Sequence, residues 1–255
     1  MKTIMNPRKL LLSILIFAGT VSYAQNELLT EHIDKVYEQS DVRCIYTFDF
    51  PVSSEGALNE AVMSLMQIDS EDSSIPSNWR IKDIRSLEEA IKADADSVLS
   101  NMDESIGPWT RIVEVSKISE GNKYVCYKDF YYESDASMYP VTKTFVIRKS
   151  DGKFIDVLKN GDSKGFYKLL SKNFNSYLYE NFGQDNKDYL AEDIKERPEI
   201  LGFNSEDMDF CWIDDNYLYI GYGQTSVARV VGVQTLRIPL NDVKQYLTKE
   251  IKALL

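Results

Sequence analysis

The sequence predicts an α+β fold: a mainly antiparallel sheet with helices packed on it, in two closely associated subdomains. Three observations predict it. Apolar and polar residues alternate over residues 43–50. Further strand-like runs are joined by tight turns in meander fashion, and apolar residues at helical spacing gather in blocks of their own.

In the first run Cys44, Tyr46, Phe48 and Phe50 point one way while Arg43, Thr47 and Asp49 point the other, a half-buried strand that ends at Pro51. Leu58, Ala61, Val62 and Leu65 then recur with helical spacing. Residues 69–78, rich in Asp, Ser and Pro, read as a loop. A second helix starts at Ser86, where Ser86 and Glu89 fit a capping box, with Leu87, Ile91, Val98 and Met102 as its apolar stripe. Gly107-Pro108 ends it. Three strands follow at 110–118, 123–132 and 141–148, the first two joined by a turn at Glu120-Gly121-Asn122.

Asp151-Gly152 signals a turn into Lys153-Phe154-Ile155. Phe166, Leu169, Leu170, Phe174, Tyr177 and Leu178 mark a further helix, and 188–196 a shorter one. The last third returns to strands at 209–213 and 217–222, with a turn at Asp214-Asp215-Asn216, and at 232–238, stopped by Pro239. Leu240, Val243, Leu247, Ile251 and Leu254 line one face of a terminal helix. The division drawn from this pattern is 25–138 for an N-terminal α+β domain and 139–255 for a C-terminal one.

Residues 1–24 read as a secretory signal peptide. Lys2, Arg8 and Lys9 are basic, residues 10–18 form a short apolar run, and Ser22 and Ala24 are small at the two positions read by signal peptidase. The mature chain is expected to begin near Gln25 and to work in the periplasm or the medium, without a lipid-anchor cysteine. No later apolar run approaches the ~20 residues of a membrane helix. Loss of the three leader cations moves the net charge from −11 to −14. Such a surface maintains solubility, makes nucleic acid an unfavourable partner and attracts a basic protein.

His32, read as lying just before the first strand and flanked by Glu31 and Asp34, is the only histidine in 255 residues, which removes multi-histidine metal sites and leaves any imidazole-based nucleophile site dependent on this one residue. The three cysteines, Cys44, Cys126 and Cys211, are far apart in sequence and sit in aromatic or β-branched runs. They are expected as buried strand thiols, with one disulfide and one free thiol as the alternative. Asp207, Asp209, Asp214 and Asp215 cluster, but they lack calcium-loop spacing and the last two belong to a turn. Gly221 and Gly223 are a fragment of a phosphate loop and read as a bend in a strand. No cofactor or metal is expected. Tyrosines concentrate at Tyr124, Tyr127, Tyr131 and Tyr132, and again at Tyr217, Tyr219 and Tyr222, where exposed rings would stack on sugar or anchor a protein. Ordinary cross-strand packing is the alternative.

The run Lys149-Ser150-Asp151-Gly152-Lys153-Phe154-Ile155-Asp156-Val157-Leu158, then an amphipathic helix, a Tyr-rich strand, a glycine, Ile238-Pro239-Leu240 and a closing helix, resembles the RsiV-like extracytoplasmic family. That family includes the lysozyme-sensing part of an anti-sigma factor. Phe48-Asp49-Phe50-Pro51-Val52 with Leu58-Asn59-Glu60-Ala61-Val62 is similar to the domain that precedes it there and that precedes some peptidoglycan deacetylase domains. This chain departs from the family at Ser134 to Pro140, where members often carry a Gly-Gly-Ala-His-like stretch, and in the loop from Gln224 to Arg229, so lysozyme binding is not carried over. The resemblance implies a stand-alone exported recognition module. The expectation is a non-enzymatic protein that binds a cell-envelope glycan or a basic, lysozyme-like protein through Tyr219, Tyr222, Gln224, Thr225 and Arg229. A two-carboxylate glycan hydrolase and a purely structural envelope protein are the alternatives.

Overall fold

A computed structural model describes residues 27–52, 56–66, 79–101, 108–134, 141–159, 165–166, 168–170, 208–222 and 234–255. Five strands form one sheet in the order β1-β2-β3-β4-β5: β1 (Thr30–Gln39), β2 (Val42–Pro51), β3 (Trp109–Glu120), β4 (Tyr124–Glu133) and β5 (Val141–Arg148). Three more, β6 (Met208–Asp214), β7 (Tyr217–Tyr222) and β8 (Gln234–Pro239), form a second sheet. The helices are α1 (Ala57–Leu65), α2 (Ile84–Asn101), α3 (Leu240–Val243) and α4 (Lys249–Leu254). All pairings are antiparallel except β2 with β3, which the helical crossover through α1 and α2 makes parallel. The class is therefore α+β, as expected. No helix among the described residues is long and apolar enough to cross a membrane. The segments expected to be a leader (1–24), a loop (69–78) and a short helix (188–196), and Gly107, lie outside the described residues.

Alternation in β2 is realised: Cys44, Tyr46, Phe48 and Phe50 are buried and the intervening side chains are not. Three local readings need correction. His32 lies within β1 and not ahead of the first strand; β1 escapes detection because Ile33 alone among its apolar residues is buried and Val36 is exposed. The second helix begins at Ile84, one turn's start earlier than Ser86. Asp83 accepts a hydrogen bond from the Ser86 N–H (2.7 Å) and its own N–H donates to the Ser86 hydroxyl (2.9 Å), while Glu89 pairs with Arg85. The terminal helix is two helices. Thr248 caps α4 by accepting from the Ile251 N–H and donates its own N–H to the Val157 carbonyl, which breaks the rod although all five predicted apolar residues stay buried.

Strand β4 supplies both interiors. Val125 and Tyr127 face a first core built with β2, α1 and α2; Tyr124 and Cys126 face a second core built with β6, β7, β8 and the C-terminal helices. Strand β5, beyond residue 139, is hydrogen-bonded along β4 and divides likewise, with Ile147 in the first core and Val146 in the second. A bulge between Lys117 and Ser119 re-aims β3 so that Ser119 shares the Cys126 face. Three strands then each send one side chain to β6: the Ser119 hydroxyl (2.6 Å) and Cys126 thiol (3.4 Å) donate to the Ile213 carbonyl, and the Thr144 hydroxyl to that of Cys211 (2.7 Å). The three cysteines are free thiols on strands. Burial pushes Cys126 up to about 11 and Cys211 up to about 12, which keeps both protonated and unreactive at neutral pH.

At the β1 edge of the first sheet, Asp49 ties three strands together. One oxygen lies 2.8 Å from the His32 ring and the other accepts the Lys117 N–H at the bulge (2.7 Å). Asp34 holds the other ring nitrogen at 2.9 Å, so hydrogen bonds to Asp49 and then Asp34 raise the His32 pKa above 6.5. A single imidazole makes this directly measurable. The one histidine Cε1 proton is expected to titrate above 6.5 by NMR, and Asp49→Asn is expected to bring it down toward that value. The sign follows: the His32⁺ pairing supports the fold below pH 6.5 and fades as pH rises through the raised value, weakly because the ring is exposed.

Candidate functional site

Period-two geometry gives the second sheet one buried and one outer face. Ile213, Leu218, Ile220, Leu236 and Ile238 are buried in the second core. Their neighbours form the opposite face, where the register sets Trp212 beside Tyr219 and Tyr219 beside Arg237. One row further along, Phe210 lies opposite Gly221.

On that face three rings stack in series. Phe210 and Trp212 have centroids 5.9 Å apart with planes at 16°, and Trp212 and Tyr219 are 4.9 Å apart at 9°. Gly221 is required: a Cβ there would lie 1.9 Å from the Phe210 ring. Its role within β7 is close approach of a ring to the backbone; Gly223, its partner in the expected strand bend, lies outside the described residues. Beside the row, the Arg237 guanidinium lies 4.3 Å from the Tyr217 ring centroid. Trp212, Tyr217 and Tyr219 are half-buried and Arg237 is exposed. Trp79 and Trp109 are buried at 4% and 6%, so Trp212 is the one indole of three within reach of a ligand.

Of the five residues expected at the site, Tyr219 ends the ring series, between Trp212 and Arg237 in the sheet register. Tyr222 ends β7 between Met208 and Gln234. Gln224, Thr225 and Arg229 lie outside the described residues. Sequence reasoning missed Trp212, Phe210 and Arg237. The alternation of Phe210 and Trp212 around Cys211 puts both rings on one face of a strand, but which ring they meet depends on a register set by the whole hairpin.

Two other polar features are buried in the first core. The Tyr46 hydroxyl donates to Asp94 on α2 (2.6 Å), and Arg111 sits between Asp94 (3.5 Å) and Glu133 (3.5 Å) with its guanidinium over the Tyr131 ring. These contacts fasten α2 to β2, β3 and β4; the Arg111 Nε is close enough to Glu133 for ion pairing but has no aligned hydrogen bond. Asp129 on β4 is 3% exposed and its Oδ1 has no hydrogen-bond partner. Burial raises its pKa to about 7, against the pull of Lys143 across the strand. A cavity of about 470 Å³ lies between β5, residues 154–158 and the start of β6; Asp156 is the one carboxylate in its lining. Among the described residues, no cluster of three or more His, Cys, Asp and Glu is placed to hold a metal ion.

Comparison with protein-family models finds no match, and comparison with curated proteins finds none either. Solved structures do match. A DUF3298 family protein from Pseudomonas aeruginosa PAO1 aligns at 12% identity and a TM-score of 0.60, over 88% of this chain and 96% of that one. A member of the DUF3298 family from Bacteroides fragilis NCTC 9343 aligns at 13% identity and a TM-score of 0.54, over 88% of this chain and 95% of that one. The likeness runs through nearly the whole of both proteins, so this chain has the fold of these DUF3298 proteins.

Proposed function

We propose that the protein is an exported recognition module that binds a cell-envelope glycan along the Phe210–Trp212–Tyr219 strip and catalyses no reaction. The observation that carries this reading is the ring series itself: a rigid aromatic row on the outer face of a sheet, with a guanidinium at its flank. Trp212 and Tyr219, both half-buried, offer ring surface to a sugar's C–H face, while Phe210, buried at 8%, backs the row; such rings lose little conformational entropy on binding. The resemblance to the RsiV-like family and the leader-like first 24 residues support the envelope as the place of work. A basic, lysozyme-like protein is the second reading, favoured by a net charge of −11 for the whole chain.

Calorimetry with soluble peptidoglycan fragments and, separately, lysozyme tests both. Fragment binding with a change in Trp212 fluorescence is expected, and Trp212→Ala should weaken it about tenfold or more, a loss of about 1.4 kcal/mol. Lysozyme heat that fades with added salt would favour the second reading. No heat from either ligand, or turnover of the fragments, overturns the proposal.

A further inference from the structure

Strand β5 is the last of its sheet, and the chain itself already uses part of the free edge. Beyond the Asp151-Gly152 turn, the Arg148 N–H donates to the Lys153 carbonyl (2.9 Å) and the Ile155 N–H to the Val146 carbonyl (2.8 Å), with Phe154 bridging Ile147. These bonds show which way the strand faces. Val146 and Arg148 direct their backbone groups outward, so a period of two turns those of Thr144 and Thr142 to the same edge. No backbone hydrogen bond from another described segment meets them.

The chain's own added segment stops short of those residues. After Ile155 it peels away, drawn off by the Leu158–Leu247 bridge and by the Thr248 N–H bond to the Val157 carbonyl (3.1 Å). The cavity of about 470 Å³ opens where it departs, lined by Phe145, Phe154, Ile155, Val157 and Phe210. Its volume lies within the range of pockets that hold small molecules or large side chains. Val141 and Phe154, at 45% and 42% exposure, flank it with apolar surface.

We propose that the 141–145 edge of β5 is a docking site for an extended peptide segment of a partner protein, which adds as a further strand and seats one large apolar side chain in the cavity. The unused backbone groups of Thr142 and Thr144 select a strand over a helix or a sugar, and the pocket selects alternate side chains. Residues 153–155 set the precedent within the chain: an extended segment on this same edge with an aromatic residue at its centre. The β5 edge lies apart from the aromatic strip, and the two meet at Phe210, which lines the cavity and begins the ring series.

The probe is a fluorescein-labelled, end-blocked octapeptide, Lys-Thr-Val-Thr-Phe-Thr-Val-Lys, followed by anisotropy on the full mature chain. Saturable binding is expected. Of two analogues N-methylated on alternate amides, one should lose about tenfold or more and the other should bind like the parent, because one edge of the peptide faces β5. Thr142→Pro should abolish binding while leaving the bonds to β4 and the Thr144–Cys211 bond in place, since proline is tolerated where the N–H points off the sheet. Phe154→Lys, at an exposed position, should weaken binding with an unchanged circular dichroism spectrum even if the proline variant fails to fold. Tyr219→Ala, at the end of the strip away from Phe210, should leave it unchanged while weakening glycan binding, which keeps failure here distinct from failure of the glycan reading. Equal binding of both methylated analogues, no binding of the parent, or a β5-mediated dimer in sedimentation that the peptide does not dissociate overturns the proposal.

Discussion

Asp129→Asn is expected to stabilise the protein at pH 8 by about 4 kcal/mol while changing little at pH 4. Asp129 is a carboxyl held in the first core with an unbonded oxygen, and burial raises its pKa from 3.8 to about 7. Between those two values the folded chain holds a proton that the unfolded chain has released. Stability therefore falls as pH rises through that window, by about 1.4 kcal/mol for each pH unit, and stays low above it. Asparagine fills the same volume and remains neutral, so it removes the cost of the charge but leaves the unmade hydrogen bond. Urea unfolding from pH 4 to pH 8 measures this directly. A flat difference between the two proteins across that range would mean that the carboxyl ionises freely in the fold.

Gly152→Ala is expected to remove about 2–4 kcal/mol, from two causes that add at one residue. Gly152 has φ of +67°, a conformation that costs an L side chain roughly 1 kcal/mol. A Cβ there would also lie 2.1 Å from the Ala57 carbonyl oxygen and 2.6 Å from its carbonyl carbon, at the first residue of α1. That neighbour is backbone and cannot swing aside, so α1 must shift on the sheet. Thermal unfolding should fall by about 10 °C. Gly152→Asn separates the causes, because asparagine tolerates the left-handed backbone but keeps the Cβ. A loss as large as that of alanine is expected; full recovery would assign the effect to the backbone alone.

The parts of this fold legible in the sequence are those that local physics decides. The alternation from Cys44 to Phe50 names the buried face of β2, and Glu120-Gly121-Asn122 and Asp214-Asp215-Asn216 mark hairpins because turns need residues that accept such backbone angles; Asp215 indeed has φ of 48°. What was not legible depends on distant pairing. Strand β1 is polar on nearly every side chain and is a strand because β2 lies beside it. Thr248 interrupts a continuous apolar stripe because residues 156 and 157 offer it carbonyls. The site followed the same rule. Tyr219 stood out as one of several clustered tyrosines, whereas its partner Trp212 is fixed by register, and the outward groups of Thr142 and Thr144 are defined by where another segment stops. Asp129 was hidden among aromatic neighbours, where alternation alone cannot tell which face closes over a carboxyl.

Strand β4, with neighbouring residues committed to opposite interiors, acts as a party wall between two rooms. A force or a binding event that displaces it is felt on both sides at once, since Tyr127 cannot move without carrying Cys126.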